Sequence, residues 1–169
     1  MTAYRAPEPG NFFSSLWRGC ARGGWRPAAV VLAAGFLSAA VAQGALVAYR
    51  VENGEIRTPL TREPGDAARG RAAVTNRDTG NCLLCHALPE SGERFMGNLA
   101  PPLSGVGARL KAGELRLRIV DSSRLNRATI MPPYYRVGRL NQVAVAYRGK
   151  PILSAQQVED VVAYLLTLR

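Results

Sequence analysis

The sequence predicts a small all-α domain of short helices and loops, and three observations support this. Helix patterns occupy residues 67–76, 114–120 and 155–168. Loops rich in glycine and proline separate them, with 17 glycines and 11 prolines in the chain of 169 residues. A C-x-x-C-H motif, Cys82–His86, follows the first helix. Such a loop-rich chain would use a bound cofactor as part of its core.

The motif in the stretch Asn81–His86 (NCLLCH) indicates a c-type haem attachment site. Cys82 and Cys85 lie one helical turn apart, so each thiol can form a thioether with one haem vinyl group, and His86 then supplies the proximal iron ligand. A local disulfide, a redox dithiol and half a zinc site are the alternatives. A zinc site needs about four ligands, whereas His86 is the only histidine. A thioredoxin-like dithiol needs a βαβ setting, which the sequence lacks. The motif therefore predicts one covalently attached haem c.

Length and charge restrict the function further. A chain of 169 residues supports one domain, and 22 Lys and Arg against 12 Asp and Glu give a net charge of +10. Such a charge suits nucleic acid, an anionic membrane, or an acidic partner or substrate. The arginines are scattered and no nucleic-acid motif accompanies them, so we expect no nucleic-acid partner.

Residues 1–42 predict a signal peptide of the general secretory route. A basic lead precedes the apolar run 28–42, and Ala40–Ala42 has the small-x-small pattern of a cleavage site. The alternative is an uncleaved N-terminal anchor over residues 28–48, which are numerous enough to span a membrane. Alanine-rich runs partition weakly into lipid, which favours cleavage before Gln43. Both interpretations export the rest of the chain, and membrane attachment is expected only if the leader is retained.

Residues 43–64 are predicted to form an extended arm or linker, because they are polar, contain two prolines and show no sustained periodicity. The alternative is a disordered leader. The domain itself is expected to span residues 65–169, with Asp66 as the N-cap of the first helix. Gly70 lies inside that helix, where glycine lowers helix stability. Either a close helix crossing requires it, or it is an ordinary tolerated glycine.

The loops after the motif carry further candidate ligands. The carbonyl of Pro101 could accept the second ring N–H of His86, although Pro101 could equally be a turn residue. With no other histidine, methionine is the usual second iron ligand. Met96 follows His86 by only ten residues, whereas Met131 lies in a later loop stiffened by two prolines. Met131 is therefore favoured over Met96, and filling of the core is the ordinary alternative for either residue.

Sequence signals also define the last two predicted helices. The helix at 114–120 has an apolar face, and Arg116 and Arg118 are interpreted as its solvent-facing residues. The terminal helix begins with a capping box formed by Ser154 and Gln157.

Together these elements resemble the class I cytochrome c pattern and, more narrowly, the SoxX family of small monohaem cytochrome c subunits. The resemblance is carried by Gly80–His86 (GNCLLCH), Gly97–Arg109 (GNLAPPLSGVGAR) and Thr129–Leu168, which includes TIMPPYYRVGRL. It implies the class I cytochrome c fold for residues 65–169.

The resemblance also implies specific roles for residues. Cys82 and Cys85 would be the thioether sites, and His86 and Met131 the axial metal ligands. No catalytic residue is implied in this chain.

The same resemblance also implies a function. SoxX proteins pair in the periplasm with SoxA, a dihaem or monohaem cytochrome, in the SoxAX complex of thiosulfate oxidation. The complex is an L-cysteine S-thiosulfotransferase that joins thiosulfate to a cysteine of the SoxYZ carrier. This chain would accept the released electrons and pass them to an acceptor cytochrome, without catalysis of its own. The alternatives are a free monohaem carrier to a respiratory oxidase, and a haem enzyme of peroxidase or gas-binding type, which would need an open iron position.

Overall fold

The computed structural model describes residues 46–169, and its regular elements are helices and helical turns. The α-helices of this range are α1 (Ala67–Thr75), α2 (Val106–Arg109), α3 (Ala112–Asp121) and α4 (Ala155–Thr167). Single 3₁₀ turns lie at Cys82–Leu84, Pro89–Ser91, Ser122–Arg124 and Val145–Tyr147. Over residues 46–169 strand pairing is limited to two isolated bridges. The predicted all-α fold is confirmed, and the predicted signal peptide lies outside the described residues.

None of the helices within residues 46–169 is long and apolar enough to cross a membrane.

The core is organised by the crossing of α1 over α4. At the crossing point a Cβ atom on Gly70 would collide with the backbone carbonyl of Asp160 and lie 2.8 Å from the Cβ of Tyr164. Only a residue without a side chain allows the two backbones to approach this closely. The structure therefore confirms the close crossing as the reason for Gly70. Buried residues of α4 pack beneath it: Val158, Val161, Val162 and Leu165.

Polar contacts fix the ends of these two helices. The side chain of Ser154 accepts the N–H of Gln157 at 3.2 Å, and the side chain of Gln157 accepts the N–H of Ser154 at 2.9 Å, which confirms the predicted capping box. Asp66 caps α1 by accepting the N–H of Arg69 at 2.7 Å. The carboxylate of Asp160 accepts the N–H of Asp66 at 2.8 Å and the Nε–H of Arg69 at 2.8 Å. The N-terminus of α1 is therefore tied directly to α4.

Helix α3 buries a charged residue that the sequence analysis placed in solvent. Arg116 is 4% exposed, and its Nε and Nη2 donate to the two carboxylate oxygens of Glu159 at 2.7 and 2.8 Å. Its Nη1 donates to the carbonyl of Ile56 at 2.7 Å. The prediction of a solvated side chain was wrong for Arg116, because the chain before α1 covers this side of α3 and Glu159 neutralises the charge there.

The predicted arm is irregular but packed. Ile56 is completely buried and Leu60 is 5% exposed. The N–H of Ile56 donates to the carbonyl of Gly113 at 3.0 Å, and the N–H of Leu60 donates to Glu159 at 2.8 Å. The packed unit therefore starts earlier in the chain than the expected boundary at residue 65.

Candidate haem site

The attachment motif folds as a tight turn, and its two cysteines and its histidine face one cavity. Asn81 starts the turn with a positive φ of 48°, and the carbonyl of Cys82 accepts the N–H groups of Cys85 at 3.2 Å and His86 at 3.0 Å. Cys82, Cys85 and His86 all line the same cavity. The motif thus presents two thiols and one imidazole to a common space.

The imidazole is oriented by a proline carbonyl. His86 Nδ1 lies 2.7 Å from the carbonyl oxygen of Pro101. Because a carbonyl can only accept, Nδ1 carries the proton and Nε2 keeps its lone pair for a metal. The loop is held beside the motif by hydrogen bonds from the N–H of Ala100 to Cys85 at 2.9 Å and from the N–H of Leu103 to Ala87 at 2.9 Å. The structure therefore places Pro101 where the sequence analysis expected an acceptor.

The two candidate methionines occupy different places. Met131 lines the same cavity as His86, and its N–H donates to Thr129 Oγ1 at 3.2 Å. Met96 lines a separate groove, and its sulfur accepts the N–H of Leu88 at 3.1 Å. The structure brings Met131, and not Met96, together with the histidine. Met131 stays the predicted second ligand.

The cavity is open to solvent on one side, and its lining is mostly apolar. Its walls come from all parts of the domain: Val74, Ala100, Leu103, Ile119, Ile130, Pro132, Tyr134, Leu153, Val161 and Leu165. The cavity supplies two thiols that could attach a haem covalently, and an imidazole and a thioether that could bind its iron, inside apolar walls. The residues present therefore fit haem c.

Tyr134 is a functional residue that the sequence analysis did not single out. Its side chain lines the cavity, and its hydroxyl donates to the carbonyl of Gly80 at 2.8 Å. Its backbone is also paired, donating to Ile119 at 3.1 Å and accepting from Leu153 at 3.0 Å. Burial raises the pKa of Tyr134, so the hydroxyl stays protonated and remains a donor. Tyr134 joins the loop of Met131 to the residue before the attachment turn.

The same enclosure affects the first cysteine. Burial raises the pKa of the Cys82 thiol to about 11, so without haem this sulfur is protonated at neutral pH.

Comparison with known proteins agrees with this site. The sequence model of the cytochrome c family matches residues 67–169. The chain belongs to the cytochrome c family, whose members carry covalently bound haem c.

A narrower likeness follows from a solved structure. A chain in the crystal structure of SoxXA from P. pantotrophus is 34% identical, with a TM-score of 0.66, and the alignment covers 71% of this chain and 93% of that chain. The predicted resemblance to a SoxX-type cytochrome is confirmed by this match. No curated protein matched the chain.

Proposed function

We propose that this chain is the monohaem electron-transfer subunit of a SoxAX-type complex that oxidises thiosulfate. The observation that carries the proposal is the convergence of Cys82, Cys85, His86 and Met131 on one apolar cavity, in a chain similar to one from SoxXA. A single C-x-x-C-H motif in the sequence supports one haem per chain.

The residues of the site would divide the work of holding the cofactor. When bound, haem c supplies one-electron redox chemistry at its iron. Cys82 and Cys85 would attach it covalently, and His86, oriented by Pro101, would bind the iron. Met131 would be the second protein ligand and so exclude water and small ligands from the iron. This filled position is why we favour electron transfer over a peroxidase or gas-binding function.

The chain offers little else for chemistry on thiosulfate. In the proposed arrangement its only histidine is committed to iron, and Cys82 and Cys85 are consumed by attachment. Residues 46–169 contain no cluster of three or more His, Cys, Asp or Glu side chains that could hold a metal ion. Coupling of thiosulfate to the SoxYZ carrier cysteine would therefore take place on a SoxA-like partner. This chain would then receive the electrons and pass them to an acceptor cytochrome.

The charge distribution supports association with acidic partners. The segment between Asp121 and Glu159 contains no acidic residue, but it carries six basic ones: Arg124, Arg127, Arg136, Arg139, Arg148 and Lys150. The loop of Met131 lies in this segment. Two of the six, Arg124 and Arg136, form ion pairs with Asp121, and the other four are exposed. Exposed positive side chains of this kind favour encounter with an acidic surface through electrostatic attraction.

Reconstitution tests the proposal. The purified haem-loaded chain should not couple thiosulfate to the carrier cysteine by itself, and its haem should stay oxidised when thiosulfate and carrier are added. Adding the SoxA-like subunit should restore coupling and reduce this haem, as followed by stopped-flow absorption. Turnover by this chain alone would refute the subunit role. Failure of every SoxA-like subunit to bind would favour the free carrier to a respiratory oxidase.

We further propose that the protein works in the periplasm after removal of residues 1–42. The basic lead, the apolar run and the Ala40–Ala42 pattern support this order of events. N-terminal sequencing of the purified protein should give a chain beginning at Gln43. An intact leader recovered with the membrane fraction would instead support the anchor.

A further inference from the structure

The cavity that His86 and Met131 line shares part of its lining with a second cavity, where two arginines are also found. The second cavity shares His86, Met131 and Ile119 with the first and is also lined by Arg109 and Arg118. No aspartate or glutamate of residues 46–169 lines either cavity. The charged side chains that line this end of the site are therefore positive, among walls that are otherwise mostly apolar.

Arg118 has spare hydrogen-bonding capacity at this position. It is half-buried on α3, between the buried residues Leu117 and Ile119. One N–H of its guanidinium donates to the carbonyl of Glu114 at 3.0 Å, and no carboxylate of residues 46–169 forms an ion pair with it. Arg116, two positions earlier, has both arms of its guanidinium paired with a carboxylate. Arg118 therefore has donors available for an anion that the described part of the chain does not supply.

Both terminal nitrogens of the Arg109 guanidinium already donate hydrogen bonds within the protein. Its Nη1 donates to the carbonyl of Ser104 at 2.8 Å and its Nη2 to the carbonyl of Pro102 at 3.3 Å. Both carbonyls belong to the loop that carries Pro101. Arg109 therefore braces the loop that orients His86, and Arg118 is the arginine available for a ligand.

We propose that Arg118 binds a carboxylate of the haem. Haem c carries two carboxylate side chains at one edge, and they are its only ionised substituents. A guanidinium matches a carboxylate with paired N–H donors, and such an ion pair is stronger in an apolar, partly enclosed cavity than in water. The expectation from sequence that Arg118 is only a solvated side chain is replaced by this role. The proposal rests on membership of the cytochrome c family and not on thiosulfate chemistry.

The ion pair would affect the iron as well as hold the cofactor. An ionised carboxylate stabilises the more positive, oxidised iron, and a cation beside the carboxylate offsets that effect. Arg118 is thus a positioning residue that also raises the reduction potential. Replacing Arg118 should therefore change the reduction potential of the haem-loaded chain without any partner protein.

The test compares three variants of the haem-loaded chain by potentiometric titration. Arg118→Gln should lower the reduction potential, because the carboxylate loses its cation. Arg118→Lys should keep most of the wild-type potential, because the charge remains. The matched control Arg62→Gln removes the same charge from an exposed residue of the arm and should shift the potential far less.

Equal shifts in Arg118→Gln and Arg62→Gln would overturn the proposal. A second measurement needs no variant and is therefore independent of folding. In a crystal structure of the haem-loaded protein, a guanidinium nitrogen of Arg118 should lie about 3 Å from a haem carboxylate oxygen. A separation well beyond hydrogen-bonding distance would overturn the proposal, and neither result depends on whether a SoxA-like subunit binds.

Discussion

Replacing Met131 with alanine should leave the haem attached, lower its reduction potential and abolish the absorption from sulfur-to-iron charge transfer. The thioethers to Cys82 and Cys85 form at the attachment turn, so they do not require the methionine loop. Axial ligands set haem potentials over a range of about 0.8 V, and methionine lies toward the high end. The variant should therefore show one of the largest functional changes available to a single substitution here. Absorption spectroscopy and potentiometry of the haem-loaded protein would measure both effects.

Met96→Ala is the matched control for this prediction. It removes the same side chain from the groove beside the attachment turn, where the Met96 sulfur accepts the N–H of Leu88 at 3.1 Å. The charge-transfer absorption should persist in this variant. If it disappears in Met96→Ala and survives in Met131→Ala, the ligand assignment is wrong.

The features that the sequence predicted correctly depend on residues close together in the chain. The capping box of Ser154 and Gln157 spans three positions, and the attachment turn fits within Asn81–His86. Gly70 needed one step more, because the residues that it meets at the crossing, Asp160 and Tyr164, lie far along the chain. Local spacing therefore predicted α1, α3 and α4, the haem motif and the fold class, but not the short helix α2.

The features that the sequence analysis missed depend on contacts between distant parts of the chain. Arg116 meets Glu159 across 43 positions and Ile56 across 60, and Tyr134 meets Gly80 across 54. The pattern around Arg116 is that of a solvent-facing position, and nothing local shows that a covering segment and a carboxylate will meet it. Irregular segments cause the same difficulty, because a single buried residue such as Ile56 has no periodicity to reveal it.

Removing one partner of the buried ion pair of Arg116 and Glu159 should be among the most destabilising single substitutions in residues 46–169, because it leaves the other charge buried and unpaired. Both side chains are 5% exposed, and Glu159 also accepts the N–H of Leu60 at 2.8 Å. Glu159→Ala leaves a buried guanidinium and a buried N–H without their acceptor, which should cost about 3–5 kcal/mol of unfolding free energy. Urea unfolding of the haem-loaded protein, followed by circular dichroism, would measure the loss.

Two controls separate the buried pair from a general effect of charge. Glu52→Ala removes a carboxylate from the exposed pair with Arg50, whose atoms lie 3.7 Å apart, and should change stability little. The double variant Arg116→Met, Glu159→Leu removes both charges at once. It should cost much less unfolding free energy than the sum of the two single variants, because it leaves no unpaired charge buried, whereas each single variant does. Equal, small effects of Glu159→Ala and Glu52→Ala would contradict the prediction. In that case apolar packing and the hydrogen bond from the N–H of Ile56 to Gly113 would hold this segment in place without help from the ion pair.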